Sequence, residues 1–224
     1  MFQTQAPALP RVAIEASLGG LCGRASISER YQADRKMLGG RVAAMRFARA
    51  VLQPGRAVLL DTETVSMYGP ICELAAIDPS TGETLIDTLV NPGVPIAPDA
   101  QAVHGITDEQ VSHPDVPAWP NVLELLTQIT RTRIILAYNA EFDRTVIAKD
   151  CSRHGIDAPH LTDPRRWADV MVPRSDFAGS RRWLRNGGGH RAIGDVHQTR
   201  EHLLAMGNAH EPASFHPLSM RQSA

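Results

Sequence analysis

Short apolar runs separated by turn residues occupy the middle of the chain and predict a β-sheet. Each run has the length of a strand and no polar face, which is typical of buried strands. Four such runs cover residues 57–60, 71–77, 84–90 and 133–138. Residues 78–82 read Asp-Pro-Ser-Thr-Gly, which is good turn chemistry, so the second and third strands should form an antiparallel hairpin. Residues 91–98 hold three prolines and are predicted to be an extended loop.

Apolar residues at helical spacing predict helices between and around these strands. Ser28 is the expected cap of the first helical region, and Gly39-Gly40 should divide it. Thr107 and Gln110 fit a capping box. The predicted helical segments are 27–53, a short one from Thr107, 122–129, 140–154 and 195–206. Residues 167–172 fit either a short helix or a strand.

The mixture of strands and helices predicts an α/β protein with a mixed central sheet flanked by helices. At 224 residues the chain has room for one domain with an appendage. The predicted divisions are a flexible tail at 1–25, a helical N-terminal extension at 26–55, a main domain at 56–207 and a C-terminal tail at 208–224.

The amino-acid composition restricts the class of protein and its location only slightly. Hydrophobic residues make up 43% of the chain, enough for a core, and the net charge of −1 gives no global field that would attract nucleic acid. Cys22, Cys72 and Cys151 are widely spaced and form no CxxC pair, so reduced thiols are expected. No run reaches the roughly 18 apolar residues of a membrane span. We therefore expect a cytoplasmic protein without membrane contact.

One stretch departs from this neutrality. Residues 165–191 contain seven arginines and only Asp169 and Asp176 as acids, a local net charge of +5. A solvated charged surface is one interpretation. Contact with a nucleic-acid backbone is the other, because guanidinium groups match phosphate oxygens.

The candidate chemistry begins with Asp61 and Glu63 at the end of the first predicted strand. Because strand side chains alternate, both carboxylates should point to the same side, about 7 Å apart along the strand. Buried carboxylates are costly unless a positive charge lies between them, and a divalent cation is the usual one. A solvated acidic turn remains the alternative for this motif taken alone.

Three further residues could join that pair. Asp143 follows a strand and lies in the first turn of a predicted helix, where simple helix capping is an alternative role. His190 and Asp195 are five residues apart and would diverge by about 140° on one helix. If both serve one site, His190 must lie in the loop beside Gly187-Gly188-Gly189, a flexible hinge by composition, and Asp195 on the helix.

Four motifs in order resemble one family. Asp61-Thr62-Glu63, His104-Gly105-Ile106-Thr107, the segment Tyr138-Asn139-Ala140-Glu141-Phe142-Asp143, and His190-Arg191-Ala192-Ile193-Gly194-Asp195 together resemble the DEDDh, or DnaQ-like, 3′–5′ exonucleases. That family includes the proofreading subunits of bacterial DNA polymerases. The resemblance covers residues 56–207.

This resemblance implies a ribonuclease-H-like fold and a metal-dependent nuclease. It implies that Asp61, Glu63, Asp143 and Asp195 hold two divalent cations, Mg²⁺ or Mn²⁺, and that His190 is the general base. The resemblance also implies that Thr64, His104 and Phe142 contact the substrate. The implied partner is a single strand or 3′ end of nucleic acid, with DNA favoured over RNA, and a DNA polymerase or repair complex is a possible further partner.

The chemistry of these residues agrees with that implication. Four carboxylates in one pocket raise one another's pKa, and two divalent cations bring the summed charge to zero. Oxygen ligands suit Mg²⁺ or Mn²⁺ rather than zinc. The expected activity is stepwise hydrolysis from a 3′ end to 5′-mononucleotides. An oligoribonucleotide substrate and a non-catalytic binding module are the alternatives.

The sequence also departs from the family pattern. Thr64-Val65-Ser66 stands where Thr-Gly often follows the glutamate. The span from Trp167 to His190 looks short, with an arginine- and glycine-rich loop where the family usually has a full helix. This departure affects the expected substrate groove on that side.

Overall fold

A mixed β-sheet forms the centre of the computed structural model, which describes residues 25–211. Its strands are β1 Ala57–Thr64, β2 Ile71–Ile77, β3 Thr84–Leu89, β4 Ile134–Ala137 and β5 Trp167–Asp169. Among the described residues the sheet has five strands in the order β3-β2-β1-β4-β5. The β1–β2 and β2–β3 pairs are antiparallel, whereas β1–β4 and β4–β5 are parallel. The predicted hairpin and the mixed sheet are therefore confirmed.

Helices cover both faces of this sheet. They are α1 Ile27–Leu38, α2 Gly40–Val51, α3 Pro98–His104, α4 Asp108–Val111, α5 Trp119–Thr130, α6 Ala140–Arg153, α7 Pro159–Thr162, α8 Met171–Phe177 and α9 Ala192–Asn208, with a 3₁₀ turn at Pro164–Arg166. The α/β class and the helices flanking the sheet are confirmed.

The alternation of side chains along β1 divides the core in two. Val58 and Leu60 face a core that includes Trp119 of α5 and Ile147 of α6. Leu59 faces the opposite core, which α1, α2 and α9 cover. The molecule is thus three layers, helix on sheet on helix, and the odd-numbered positions of β1 all point toward α9.

The N-terminal helices pack onto the second of these cores through Ile27, Tyr31 and Phe47. Ser26, rather than the predicted Ser28, caps α1, and its hydroxyl and the Glu29 carboxylate form a capping box. The Ser28 hydroxyl instead donates to the backbone carbonyl of Trp167, 3.1 Å away. The break between α1 and α2 falls at Gly39, as expected.

The sequence did not predict three of the helices, α3, α7 and α8. α3 begins at Pro98, the last residue of the predicted proline loop, and α8 follows β5 within the span described as lacking a full helix. α7 has four residues and the other two have seven, so none carries enough apolar positions at helical spacing to be recognised. The uncertain stretch 167–172 is a three-residue strand followed by the start of α8.

The predicted tails, residues 1–25 and 208–224, lie almost entirely outside the described residues. Between residues 25 and 211, none of the helices is both long and apolar enough to cross a bilayer. The division of the chain into an extension at 26–55 and a domain at 56–207 stays a prediction.

Leu60 of β1 tests the contribution of the central strand. It is fully buried, so Leu60→Ala should lower the free energy of unfolding by about 2–5 kcal/mol through lost burial and a residual cavity. Urea denaturation measures the difference. The matched control is Leu125→Ala, because Leu125 on α5 is 52% exposed and should change stability by less than about 0.5 kcal/mol. Equal effects of the two substitutions would contradict the assignment of β1 to the core.

Candidate active site

The site forms at the end of β1, where two carboxylates lie on the α9 side of the sheet. Asp61 and Glu63 occupy odd positions of the strand, and a register shift follows Glu63. Their carboxylate oxygens and one from Asp195 all lie within 4.8 Å of one another. The alternation of strand side chains thus places this pair on one face, and α9 supplies the third carboxylate.

Asp143 reaches the same region from α6. Its carboxylate is buried and accepts a hydrogen bond of 2.8 Å from the Thr62 hydroxyl, which lies between the two acids of β1. Asn139, with φ 93°, turns the chain sharply from β4 into α6. Asp143 is therefore fixed in the first turn of α6, as predicted, with a partner on β1.

A half-buried carboxylate at the end of β5 holds the start of α6. The Asp169 side chain accepts hydrogen bonds from the backbone N–H of Ala140 at 3.0 Å and from that of Val172 at 2.8 Å. The hydrogen bond from Ala140 satisfies a backbone N–H in the first turn of α6, which has no carbonyl partner within the helix. Asp169 therefore helps to position the helix that carries Asp143.

Asp195 lies in the first turn of α9 and packs tightly against the glycine run. The Asn186 side-chain amide donates to an Asp195 carboxylate oxygen at 2.9 Å. A Cβ added to Gly188 would lie 2.6 Å from the Asp195 Cα, so no larger residue fits there. The sequence predicts a flexible hinge at residues 187–189, but the close approach of Gly188 to α9 gives this one glycine a packing role.

The start of α9 is also held by Glu73, which the sequence analysis did not identify. This residue of β2 lies directly opposite Glu63 in the strand pairing and is 1% exposed. Its carboxylate accepts hydrogen bonds from the Arg191 guanidinium at 3.0 Å and from the Ala192 backbone N–H at 2.8 Å. Glu73 therefore joins the sheet to α9 beside His190 and Asp195.

Burial and neighbouring charges raise the pKa values of Asp61, Glu63 and Asp143. Burial, followed by repulsion from Asp195 and Glu73, raises the pKa of Glu63 to about 8. Burial also raises the pKa of Asp143 to about 7, although the Thr62 hydrogen bond opposes this shift. The pKa of Asp61 lies well above its usual range because of burial and the neighbouring charges of Asp143 and Glu63.

These shifts indicate that residues 25–211 place too little positive charge near the cluster to balance its carboxylates. Arg191 partly compensates, but its guanidinium bonds Glu73 rather than the other four carboxylates. The closely spaced carboxylate oxygens of Asp61, Glu63 and Asp195 fit divalent cations that prefer oxygen ligands, and the raised pKa values of Asp61 and Glu63 agree with such a site. Asp61, Glu63, Asp143 and Asp195 are the residues that could hold them.

His190 lies outside this tight cluster. It is exposed, directly follows the glycine run, and has φ 59°, a left-handed conformation that is uncommon for a residue with a side chain. Its ring makes no hydrogen bond or ion pair with the residues between 25 and 211. The structure thus places His190 in the loop and Asp195 on the helix, the arrangement that their spacing required.

The three expected substrate contacts have different surroundings. The Thr64 hydroxyl donates to the Ser66 carbonyl, and Phe142 is half-buried with its ring centroid 5.3 Å from that of Tyr68. His104 is buried, and its Nδ1 accepts from the Ile106 backbone N–H at 3.0 Å. Burial lowers the pKa of His104, so its ring is neutral and ties the His-Gly-Ile segment to its surroundings. Their contact with substrate stays a prediction.

Sequence reasoning missed Glu73, Asp169 and Asn186, which bind backbone or carboxylate groups around the predicted acids. Glu73 had a detectable signal, because it is a lone acid in the apolar run of β2. Asp169 and Asn186 had none, since their partners lie on other elements or across a loop.

The fold and the site together define the class of protein. The family model described as exonuclease (RNase T) matches residues 58–203, which is more than half of the chain. The chain therefore belongs to this exonuclease family, and the resemblance drawn from the four motifs is confirmed. The product-bound structure of exonuclease I aligns with 67% of this chain and 43% of its own, with a TM-score of 0.52 and 19% identity, which supports the fold alone.

Two relatives are similar in sequence to part of this chain. An uncharacterized exonuclease, CP81, of Escherichia phage 186 is 32% identical over 102 residues, covering 45% of this chain and 51% of that protein. Exodeoxyribonuclease 10 of Escherichia coli K12 is 35% identical over 91 residues, 40% of this chain and 39% of that protein. The chain thus matches about half of the first relative's length and about two fifths of the second's.

Glu73→Gln tests how the start of α9 is held. Gln retains an acceptor for the Ala192 N–H but loses the ion pair with Arg191, so the free energy of unfolding should fall by about 1–3 kcal/mol. Urea denaturation measures this loss. Glu83→Gln, at an exposed position, is the control and should have little effect. A Glu73→Gln variant as stable as the control would show that the Glu73–Arg191 contact contributes nothing.

The raised pKa of Glu63 predicts how stability depends on pH without metal. Between its ordinary pKa of 4.5 and its folded value of about 8, the native state binds more protons than the unfolded state. Stability in EDTA should therefore fall as pH rises through this window. Mg²⁺ should raise the melting temperature more at pH 8 than at pH 5, because it binds the deprotonated carboxylates.

Thermal melts at both pH values, with and without Mg²⁺, measure these effects. Glu63→Gln should flatten the pH dependence, whereas Asp99→Asn, at an exposed position of α3, should leave it unchanged. A melting temperature in EDTA that does not fall between pH 5 and pH 8 contradicts the prediction.

Proposed function

We propose that this protein is a metal-dependent 3′–5′ exonuclease that releases 5′-mononucleotides from the end of a nucleic-acid strand. The observation that carries the proposal is the convergence of Asp61, Glu63 and Asp195 within 4.8 Å, with Asp143 bonded to the intervening Thr62. The chain belongs to an exonuclease family, and the raised pKa values of Asp61 and Glu63 favour bound cations over a solvated acidic surface.

Four carboxylates and two divalent cations give a neutral site. The proposed ligands of Mg²⁺ or Mn²⁺ are Asp61, Glu63, Asp143 and Asp195. Glu73 is left out of this charge sum because its ion pair with Arg191 neutralises it. The bound cations would supply activation of water and stabilisation of the leaving 3′ oxygen.

His190 is proposed as the general base that accepts the proton of the attacking water. Support comes from its exposed ring, which has no partner among residues 25–211, from its place five residues before Asp195, and from its left-handed backbone, which is uncommon for a residue other than glycine. Imidazole is the side chain that most often serves as a general base. Hydrolysis then adds water across the P–O3′ bond and frees the terminal nucleotide.

DNA is the proposed substrate, with RNA as the second candidate within the same chemistry. The name of exodeoxyribonuclease 10 favours DNA as the substrate. The similarity to that relative covers only part of this chain and only part of the relative. Binding to a DNA polymerase or repair complex stays a prediction of the family resemblance.

Strand degradation with labelled oligonucleotides tests the proposal. The protein is incubated with Mg²⁺ or Mn²⁺ and with 5′-labelled single-stranded DNA or RNA of one sequence. A ladder that shortens from the 3′ end and disappears in EDTA is expected. Asp143→Asn and His190→Gln should reduce the rate by about 10²–10⁴-fold, because each removes a ligand or the base.

The matched controls are Asp99→Asn and His154→Gln, which change exposed residues outside the acidic cluster and should retain full activity. The faster strand identifies the substrate. Metal binding without any ladder on either strand would overturn the catalytic proposal and favour the non-catalytic binding module.

A further inference from the structure

The loop between α8 and the glycine run exposes an unusual combination of side chains. We name residues 180–186, Ser-Arg-Arg-Trp-Leu-Arg-Asn, the arginine–tryptophan loop. Trp183 is 63% exposed, whereas Trp119 and Trp167 are buried. Arg181, Arg182 and Arg185 are also exposed. Within residues 25–211 their guanidinium groups form no ion pair or hydrogen bond, so the loop presents an indole and three unneutralised cations to solvent.

The backbone beneath these side chains is held in place. The Leu184 carbonyl accepts a hydrogen bond of 2.5 Å from the Tyr138 hydroxyl, and the Leu184 N–H donates to the Ser175 hydroxyl at 3.3 Å. The Arg174 guanidinium donates both to the Tyr138 hydroxyl, at 2.6 Å, and to the Arg185 carbonyl. The backbone at Leu184 and Arg185 is therefore held by the fold, so binding requires little further ordering of the main chain there.

The same loop ends at the acidic cluster. Asn186 follows Arg185 directly, and its side-chain amide donates to both the carboxylate and the backbone carbonyl of Asp195 at 2.9 Å. Three residues of chain reach at most about 11 Å, so the Trp183 backbone lies within that distance of Asn186. The exposed indole and the cations are thus adjacent to the site where the strand end would be cut.

We propose that the arginine–tryptophan loop binds the single-stranded segment of nucleic acid that leads into the active site. Trp183 stacks on a base, and Arg181, Arg182 and Arg185 contact phosphates. A single strand is favoured over a duplex because stacking on an exposed indole requires the face of an unpaired base. The inference rests on the proposed function, and it assigns the substrate path to one side of the site.

The distribution of charge supports a single strand of nucleic acid as the ligand of the arginine–tryptophan loop. The residues from Phe177 to Gly194 contain no acid, whereas the neighbouring cluster is strongly acidic and would repel a phosphate backbone in the absence of cations. A positive surface beside that cluster offsets this repulsion for an approaching strand.

Equilibrium binding tests the loop without requiring catalysis. A fluorescently labelled single-stranded 12-mer of DNA is titrated in EDTA, with anisotropy as the readout, against the full chain. Trp183→Ala should weaken binding about tenfold, and Trp183→Phe should recover much of the loss because a phenyl ring still stacks. Changing Arg181, Arg182 and Arg185 together to Gln should reduce the slope of log affinity against log salt by about 2.

The control for the arginines is a variant with the same loss of charge elsewhere. Arg30, Arg46 and Arg131 are exposed and are changed together to Gln. This variant should retain both the affinity and the salt slope of the unmodified chain within about twofold. Thermal melting of every variant verifies that the fold is retained.

Kinetics separate this proposal from the proposed function. The p-nitrophenyl ester of thymidine 5′-monophosphate occupies only the catalytic centre, and its cleavage is followed by release of p-nitrophenolate. The loop variants should cleave this ester as fast as the unmodified chain, while KM for the oligonucleotide rises about tenfold or more. Failure of the unmodified chain to cleave either substrate would overturn the proposed function, and the binding test of the loop would still stand.

Two results would overturn the loop proposal. One is equal affinity and salt slope for the loop variants and the control variant, which would leave the loop as a surface for another partner such as a protein. The other is tighter binding of blunt duplex than of the single strand, with the same loss in Trp183→Ala.

Discussion

The mutual repulsion of carboxylates at the end of β1 is the constraint on which the rest of the site depends. Asp61, Glu63 and Asp195 come within 4.8 Å of one another, and Asp143 adds a fourth negative charge nearby. Such a cluster opposes folding unless its members are protonated or bind cations. The surrounding fold must therefore hold these side chains together against a force that would separate them.

Buried polar contacts provide that restraint. Glu73 of β2 binds the first N–H of α9, and Asp169 of β5 binds the first N–H of α6. Each helix that carries one of the acids is thus attached at its N-terminus to a carboxylate from the sheet. Because helix N-termini present N–H groups without helical partners, one contact satisfies the backbone and fixes the position of the acid one turn later.

The loops that enter the two helices share a second feature. Asn139 before α6 and His190 before α9 both have positive φ, and Gly188 packs against Asp195 too closely for any side chain. The chain therefore turns abruptly from the sheet or loop into each helix. This geometry sets the acids of α6 and α9 at the end of β1, and it leaves His190 exposed beside them.

The sequence by itself determined four of the five described strands, most of the helices and the acids that converge, because these depend on local patterns. Apolar runs, turn residues and side-chain alternation act over a few positions and were sufficient to place Asp61 and Glu63 on one face. Short elements such as α3 and α8, and the Ser26 cap, were missed because seven residues or a choice between two serines give too little periodic signal.

Only the tertiary structure decided what surrounds the acids. The contacts of Glu73 with Arg191 and of Asn186 with Asp195 join residues that are 118 and 9 positions apart, and no local pattern specifies such partners. The perturbed pKa values likewise arise from burial and from charges that several elements bring together. Long-range contacts of this kind form only when the sheet and helices have packed. The candidate metal ligands could therefore be predicted from the sequence, whereas the hydrogen bonds and ion pairs that hold them in place could not.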